Sequence, residues 1–99
     1  MAPPRDWSER KLQQVRAGMG VYDRHHERVG TVTAVALGGD ATAAARVPAA
    51  ARRGLVARGF VEIEAGPLAG RCYAAAGQLA AVESERVLLN VGRDYLAKH

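Results

Sequence analysis

The sequence predicts a small, mainly β protein: a barrel or curled sheet of about five to six short strands, with a short helix before it and another after it. Two observations carry this. The first is a hairpin signature. Gly18-Met19-Gly20-Val21-Tyr22-Asp23 enters the polar turn Arg24-His25-His26-Glu27 and leaves as Arg28-Val29-Gly30-Thr31-Val32-Thr33-Ala34-Val35. A short apolar strand, a polar turn and a strand rich in β-branched residues read as a β-hairpin. The second is recurrence: short apolar or alternating runs begin again near Phe60, Arg71 and Val87, with glycine-bearing turns between them. Closely spaced short strands favour a small barrel or curled sheet.

Residues 1–5 read as a tail and Asp6 to about Val15 as a short helix. Two starts compete for it. Asp6 with Glu9 gives a capping-box-like pattern; alternatively Ser8 is the N-cap and Trp7 packs on Leu12 as a hydrophobic staple. Either start turns Trp7, Leu12 and Val15 to the body and leaves Arg10, Lys11 and Arg16 in water. The helix ends near Ala17-Gly18, where glycine tolerates a left-handed cap. The second hairpin strand sets Val29, Thr31, Thr33 and Val35 on one face and Gly30, Val32, Ala34 and Ala36 on the other. Residues 38–58, rich in alanine and arginine, read as a loop or a helical insertion. Alanine favours helix and Pro48 suits a first turn, but little apolar bulk is present to anchor one.

Beyond Gly59, Val61, Ile63 and Ala65 alternate with Phe60, Glu62 and Glu64. A strand at 71–74 follows, then a helical turn within 75–81 that carries Leu79 inward, and a strand at 87–91. Gly92-Arg93-Asp94 opens a short terminal helix capped by Asp94 and anchored by Tyr95 and Leu96. The expected organisation is one domain: tail and helix start over 1–11, the domain proper over 12–99.

At 99 residues there is room for one modest core. Alanine inflates the apolar fraction of 48%, so Val and Leu must supply most of the buried volume. A thin core favours help from an interface, and a homo-oligomer, a dimer or higher, is expected. The net charge of +4 is uneven: residues 1–58 hold ten Lys/Arg against five Asp/Glu, residues 59–99 four against five. A basic half can face RNA, anionic lipid or an acidic protein; it can also simply keep an alanine-rich chain soluble. The single cysteine, Cys72, leaves no internal disulfide and suits a reducing compartment. No apolar run approaches the ~20 residues of a membrane span, and no signal-peptide core follows Met1-Ala2-Pro3-Pro4. The expected location is the cytoplasm.

The hairpin Gly18–Asp23 with Glu27–Val32 resembles the opening of PRC-barrel-like domains, which typically begin with Gly-Met, Val-Tyr-Asp, an acidic-glycine turn and a Gly-x-Val strand. Arg71-Cys72-Tyr73-Ala74-Ala75 falls where that family has an aromatic strand followed by Ile-Pro. Val82 and Arg86–Val91 resemble its closing strand, and Asp94-Tyr95-Leu96 its terminal helical turn. The resemblance covers roughly residues 12–96, apart from 38–58. Two departures stand out. His25-His26 replaces Asp-Gly in the turn, which implies a longer or bulged hairpin, and Ala74-Ala75 replaces Ile-Pro. The resemblance implies a barrel of about six strands used as a docking module. Relatives occur in the cytoplasmic subunit of the photosynthetic reaction centre and in a ribosome-maturation factor that contacts a ribosomal protein. Stand-alone bacterial members mostly lack an assigned activity, and no catalytic residues carry over.

The remaining chemistry is sparse. His25-His26 could suggest a metal, but adjacent turn residues point apart, only His99 could join them, and no Cys-x-x-Cys is present; solvated turn residues are the plainer reading. Cys72 would need a base and a lowered pKa to act as a nucleophile and reads better as a small buried hydrophobe. Glu62 and Glu64 read as a solvated strand face. Asn90, interrupting an apolar strand, could mark a buried hydrogen-bonding residue. The best candidate surface is basic: Arg10, Lys11 and Arg16 with Arg52, Arg53 and Arg58. It lacks the interleaved aromatics of single-stranded RNA platforms.

The leading expectation is a non-enzymatic interaction module, without metal or cofactor, that docks onto a protein partner or a second copy of itself. An RNA- or ribosome-associated basic protein is the alternative. A lipid- or small-molecule-binding barrel ranks third, because so small a barrel has little room for a pocket.

Overall fold

The computed structural model describes residues 5–38, 59–66 and 70–98, with side chains described from Arg10 onward. The helix α1 spans Arg5–Gln14. The strands are β1 Gly20–Tyr22, β2 Arg28–Leu37, β3 Gly59–Glu64, β4 Arg71–Ala75, β5 Leu79–Val82, β6 Arg86–Leu89 and β7 Ala97–Lys98, with 3-10 turns at Ala76–Gln78 and Arg93–Tyr95. The strands make one sheet in the order β5-β6-β1-β2-β3-β4-β7. Every neighbouring pair is antiparallel except β1 and β6, which run parallel. The fold is therefore mainly β, with a single short helix among the described residues. The described residues form seven strands rather than five or six. β5 and β7 stand at the two ends of the order, and the sheet is not closed into a barrel.

The strand β2 departs from simple alternation. Val21 pairs with Gly30 and Tyr22 with Arg28, leaving Val29 as the extra residue of a β-bulge. On the other side Val32 pairs with Ile63 and Ala34 with Glu62, leaving Thr33 as the extra residue of a second bulge. Each bulge shifts the side-chain parity by one position. Val29, Val32 and Val35 consequently reach the same core, at a spacing of three where an unbroken strand would give two. A bulged hairpin, one of the two outcomes expected from His25-His26, is what forms.

The main core gathers Val21, Val32, Val61, Ile63, Ala74, Leu79, Val87 and Leu89 from β1 through β6, together with Leu12 and Val15 near α1 and Leu96 after the last turn. Cross-strand apolar pairs of this kind are what hold a sheet face together. A second, smaller cluster on the other face joins Ala36, Phe60 and Tyr73; the two rings meet edge to face at 5.8 Å. Val61, Ile63 and Ala65 all touch the main core, as their alternation predicts.

Four expectations need correcting. The helix begins at Arg5, ahead of both Asp6 and Ser8, and the packing expected of Trp7 falls outside the described side chains. The terminal helix is a single 3-10 turn with Gly92 at its cap position, not Asp94, and the chain then adds β7 beside β4. Leu96 anchors that turn, whereas Tyr95 is 73% exposed. Asn90 lies just past β6 and is exposed; its amide donates to the Gly77 carbonyl at 3.0 Å and ties that end of β6 to the turn before β5. Residues 39–58, read as a loop or helical insertion, lie outside the described residues.

Gly30 sits where two backbones meet. A methyl group there would overlap the Glu64 carbonyl oxygen and come within 2.9 Å of the Ile63 Cγ2. Gly30→Ala should therefore lower the unfolding free energy by about 1–3 kcal/mol through overpacking, read as a reduced denaturant midpoint. Gly77→Ala, whose methyl would meet nothing within 4 Å, should stay within about 0.5 kcal/mol.

Candidate functional site

The turn that joins β1 to β2 is organised by Asp23. Its side-chain Oδ1 accepts the backbone N–H of His25 at 2.8 Å and of Glu27 at 3.0 Å. Its own N–H donates to the Glu27 carbonyl, and its carbonyl accepts from His26 N–H. His26 takes a left-handed conformation, φ 63, where an Asp-Gly turn would place glycine. The turn is then fastened to the far end of the chain. The Arg24 N–H donates to the Val91 carbonyl at 3.1 Å. The Arg93 guanidinium donates to the Arg28 carbonyl at 3.1 Å and lies 3.7 Å from the Glu27 carboxylate. Desolvation pushes the Asp23 carboxyl up, but the N–H groups of Glu27 and His25, with the nearby His25 and Arg93 charges, together hold it below its ordinary value.

Beside this turn the parallel pairing of β1 with β6 creates a groove. Tyr22, at the end of β1, is half-buried. The guanidinium of Arg28, from β2, stands 5.9 Å from its ring centre, and that of Arg86, from β6, stands at the same distance. Each arginine is held on one side by an acceptor. Arg28 Nη2 donates to Thr31 Oγ1 at 3.0 Å. Arg86 Nε donates to Glu83 Oε1 at 2.9 Å and its Nη2 lies 2.6 Å from the same oxygen. Gly20 has no side chain to crowd them: a methyl there would lie 3.2 Å from Arg28 Nη1 and 3.3 Å from the Tyr22 ring. Arg16, Met19, Ser84 and Glu85 complete a groove of roughly 650 Å³ that opens to solvent.

Of the three described basic residues among those singled out from the sequence, Arg16 alone stands in this groove. Arg10 is exposed on α1. Lys11 is half-buried, its Nζ reaching the Leu79 carbonyl at 3.4 Å, so it braces the helix against β5. Arg52, Arg53 and Arg58 lie outside the described residues. Arg28, Arg86 and Tyr22 were missed. Their signal is tertiary: β1 and β6 are brought side by side across some sixty residues, with Gly20 opposite Arg86.

The other candidates resolve as follows. Cys72 is buried; desolvation pushes its thiol up, outweighing Lys98 and Arg93, which makes it a poor nucleophile. Glu62 is a correction, because it is 4% exposed and not on a solvated face. Its Oε1 accepts from Thr33, the bulge residue, at 2.9 Å, and Arg71 Nη1 lies 3.9 Å away. Its Oε2 is buried with no hydrogen-bond partner among the described residues. No group of three or more His, Cys, Asp or Glu side chains converges among the described residues, and no described helix is long and apolar enough to cross a membrane.

Comparison with protein-family models, with curated proteins and with solved structures finds no match to this chain.

The lowered carboxyl of Asp23 makes the turn acid-sensitive. Its contribution is fully present above the unfolded value near 3.8 and is lost as pH falls through the lower native value. Asp23→Asn keeps an acceptor oxygen for the two N–H groups but cannot ionise. The variant should be less stable than the parent near neutrality, with the gap closing in acid. Denaturant titrations of both proteins across pH check this; a gap independent of pH would contradict it.

Proposed function

We propose that this chain is a non-enzymatic docking module, a PRC-barrel-like domain that presents the Tyr22 groove to a protein partner or to a second copy of itself. One observation carries the reading. Arg28 and Arg86, from separate strands, flank one half-buried tyrosine, and Arg16 lines the same shallow, open groove. Arginine and tyrosine are the residues that most often dominate binding energy at protein interfaces. An open groove suits a side chain or a short segment better than an enclosed small molecule.

The curl that two bulges give to β2 supports the barrel-like reading, and the sheet stops short of closing at β5 and β7. The thin core favours self-association, and the buried thiol of Cys72 suits a reducing cytoplasm. On this reading the module acts by binding.

A second reading draws on the same groove. Tyr22 between two guanidiniums supplies the aromatic that the sequence alone did not place near its basic residues, which favours an RNA- or ribosome-associated role as the alternative.

Affinity capture from the native cell with quantitative mass spectrometry tests the docking reading when the parent is compared with Arg16→Glu. Arg16 is exposed, so the charge reversal should leave the fold intact. A partner retained by the parent and depleted about tenfold or more by the variant is expected, since a charge-assisted hydrogen bond contributes on the order of 1.5–3 kcal/mol. Equal recovery would count against the groove. Sedimentation across a concentration series checks self-association, and a concentration-independent monomer would remove that part. RNA capture by filter binding should weaken as salt rises if the alternative holds.

A further inference from the structure

We infer that the Tyr22 groove recognises carboxylates, and that its occupant is a short acidic segment of a protein partner rather than a nucleic acid. The inference rests on the docking reading above and specifies its chemistry. The Nε edge of Arg86 is occupied by Glu83, which leaves the outer end of the guanidinium with N–H groups to donate. Arg28 is fixed by one bond from Nη2 to Thr31, and its Nη1 overlies the bare backbone of Gly20. Arg16 has no ion-pair or hydrogen-bond partner for its guanidinium among the described residues and is exposed at the groove wall. Two forks held by their own neighbours and one free fork are suited to the planar, two-oxygen geometry of a carboxylate.

The surrounding charges set how much anion the groove accepts. Glu85 lines it, and Glu83 is already paired to Arg86. Each acidic side chain repels an extended run of phosphates, whose affinity comes from many cationic contacts along a track. One or two carboxylates on a short segment need only the three arginines, which outnumber Glu85 in the groove lining. The Tyr22 ring supplies an apolar surface for the backbone or side chain between them.

Amide-detected NMR of the full chain tests this with named probes. These are a capped aspartate–glycine peptide, its asparagine–glycine counterpart, inorganic phosphate and a uridine octanucleotide. Saturable shifts centred on Gly20, Tyr22 and Arg86 with the aspartate peptide are expected. The asparagine peptide should bind about tenfold more weakly or not at all, and Arg16→Glu should weaken the aspartate peptide about tenfold. Equal binding of the two peptides overturns the carboxylate assignment, as does absence of shifts at those amides. Tighter binding of the octanucleotide at the same residues overturns the choice of occupant in favour of nucleic acid. Phosphate competing only at much higher concentration than the aspartate peptide supports the assignment, and phosphate competing better overturns it. A partner that Arg16→Glu releases in the cell while the aspartate peptide fails to bind would reject this inference and leave the docking reading standing.

Discussion

The close approach of β2 to β3 at Gly30 is the constraint on which the rest of the sheet depends. β2 is the central strand, paired on both sides, and it carries an extra residue against each neighbour. Between the two bulges the backbone must come so near Glu64 that no side chain fits at Gly30. That contact lets the strand coil, and coiling lets Val29, Val32 and Val35 share one core with side chains from β1 and β3 through β6. A straight β2 would have turned Val32 away from Val29 and Val35. The sheet would then have lacked the convergence that a chain with so little aromatic bulk needs.

The same coiling explains the two unlike faces of β3. Its main-core face is apolar throughout, while the opposite face holds Phe60 against Tyr73 and then Glu62. Glu62 is buried beside Thr33 because Thr33 is the residue displaced by the bulge. A buried carboxylate with one oxygen unpartnered among the described residues is a local cost. It stands next to the irregularity that shapes the strand.

The sequence made β1 to β4 and β6 legible because glycine and β-branched residues mark them locally, whereas β5, whose start was read as part of a helical turn, and the two-residue β7 carry no such mark. Val61, Ile63 and Ala65 show their face by period two, and Leu12 and Val15 show theirs by helical spacing. Where a bulge intervenes the local signal misleads, as the alternation written for 29–36 does, since nothing in Val29 or Thr33 itself announces an unpaired position. Glu62 misled for a related reason: its alternation gives a face, and burial of that face is decided elsewhere in the fold. The groove was the least legible part. Arg16 could be picked out as basic and exposed, but Arg28, Arg86 and Tyr22 acquire meaning only when the parallel β1–β6 pair exists.

That parallel pair also orders events as the chain folds. The β1–β2 hairpin closes over a few residues, whereas joining Gly20 to Arg86 closes a loop of more than sixty, at greater entropic cost. Local contacts of this kind generally form ahead of distant ones. Arg28 and Tyr22 are neighbours once the hairpin closes, whereas Arg86 joins them only when β6 pairs with β1. The groove is complete only once that long-range pairing is made. A chain with the hairpin alone would have Tyr22 beside Arg28 but no groove, so the groove is a mark of the assembled sheet.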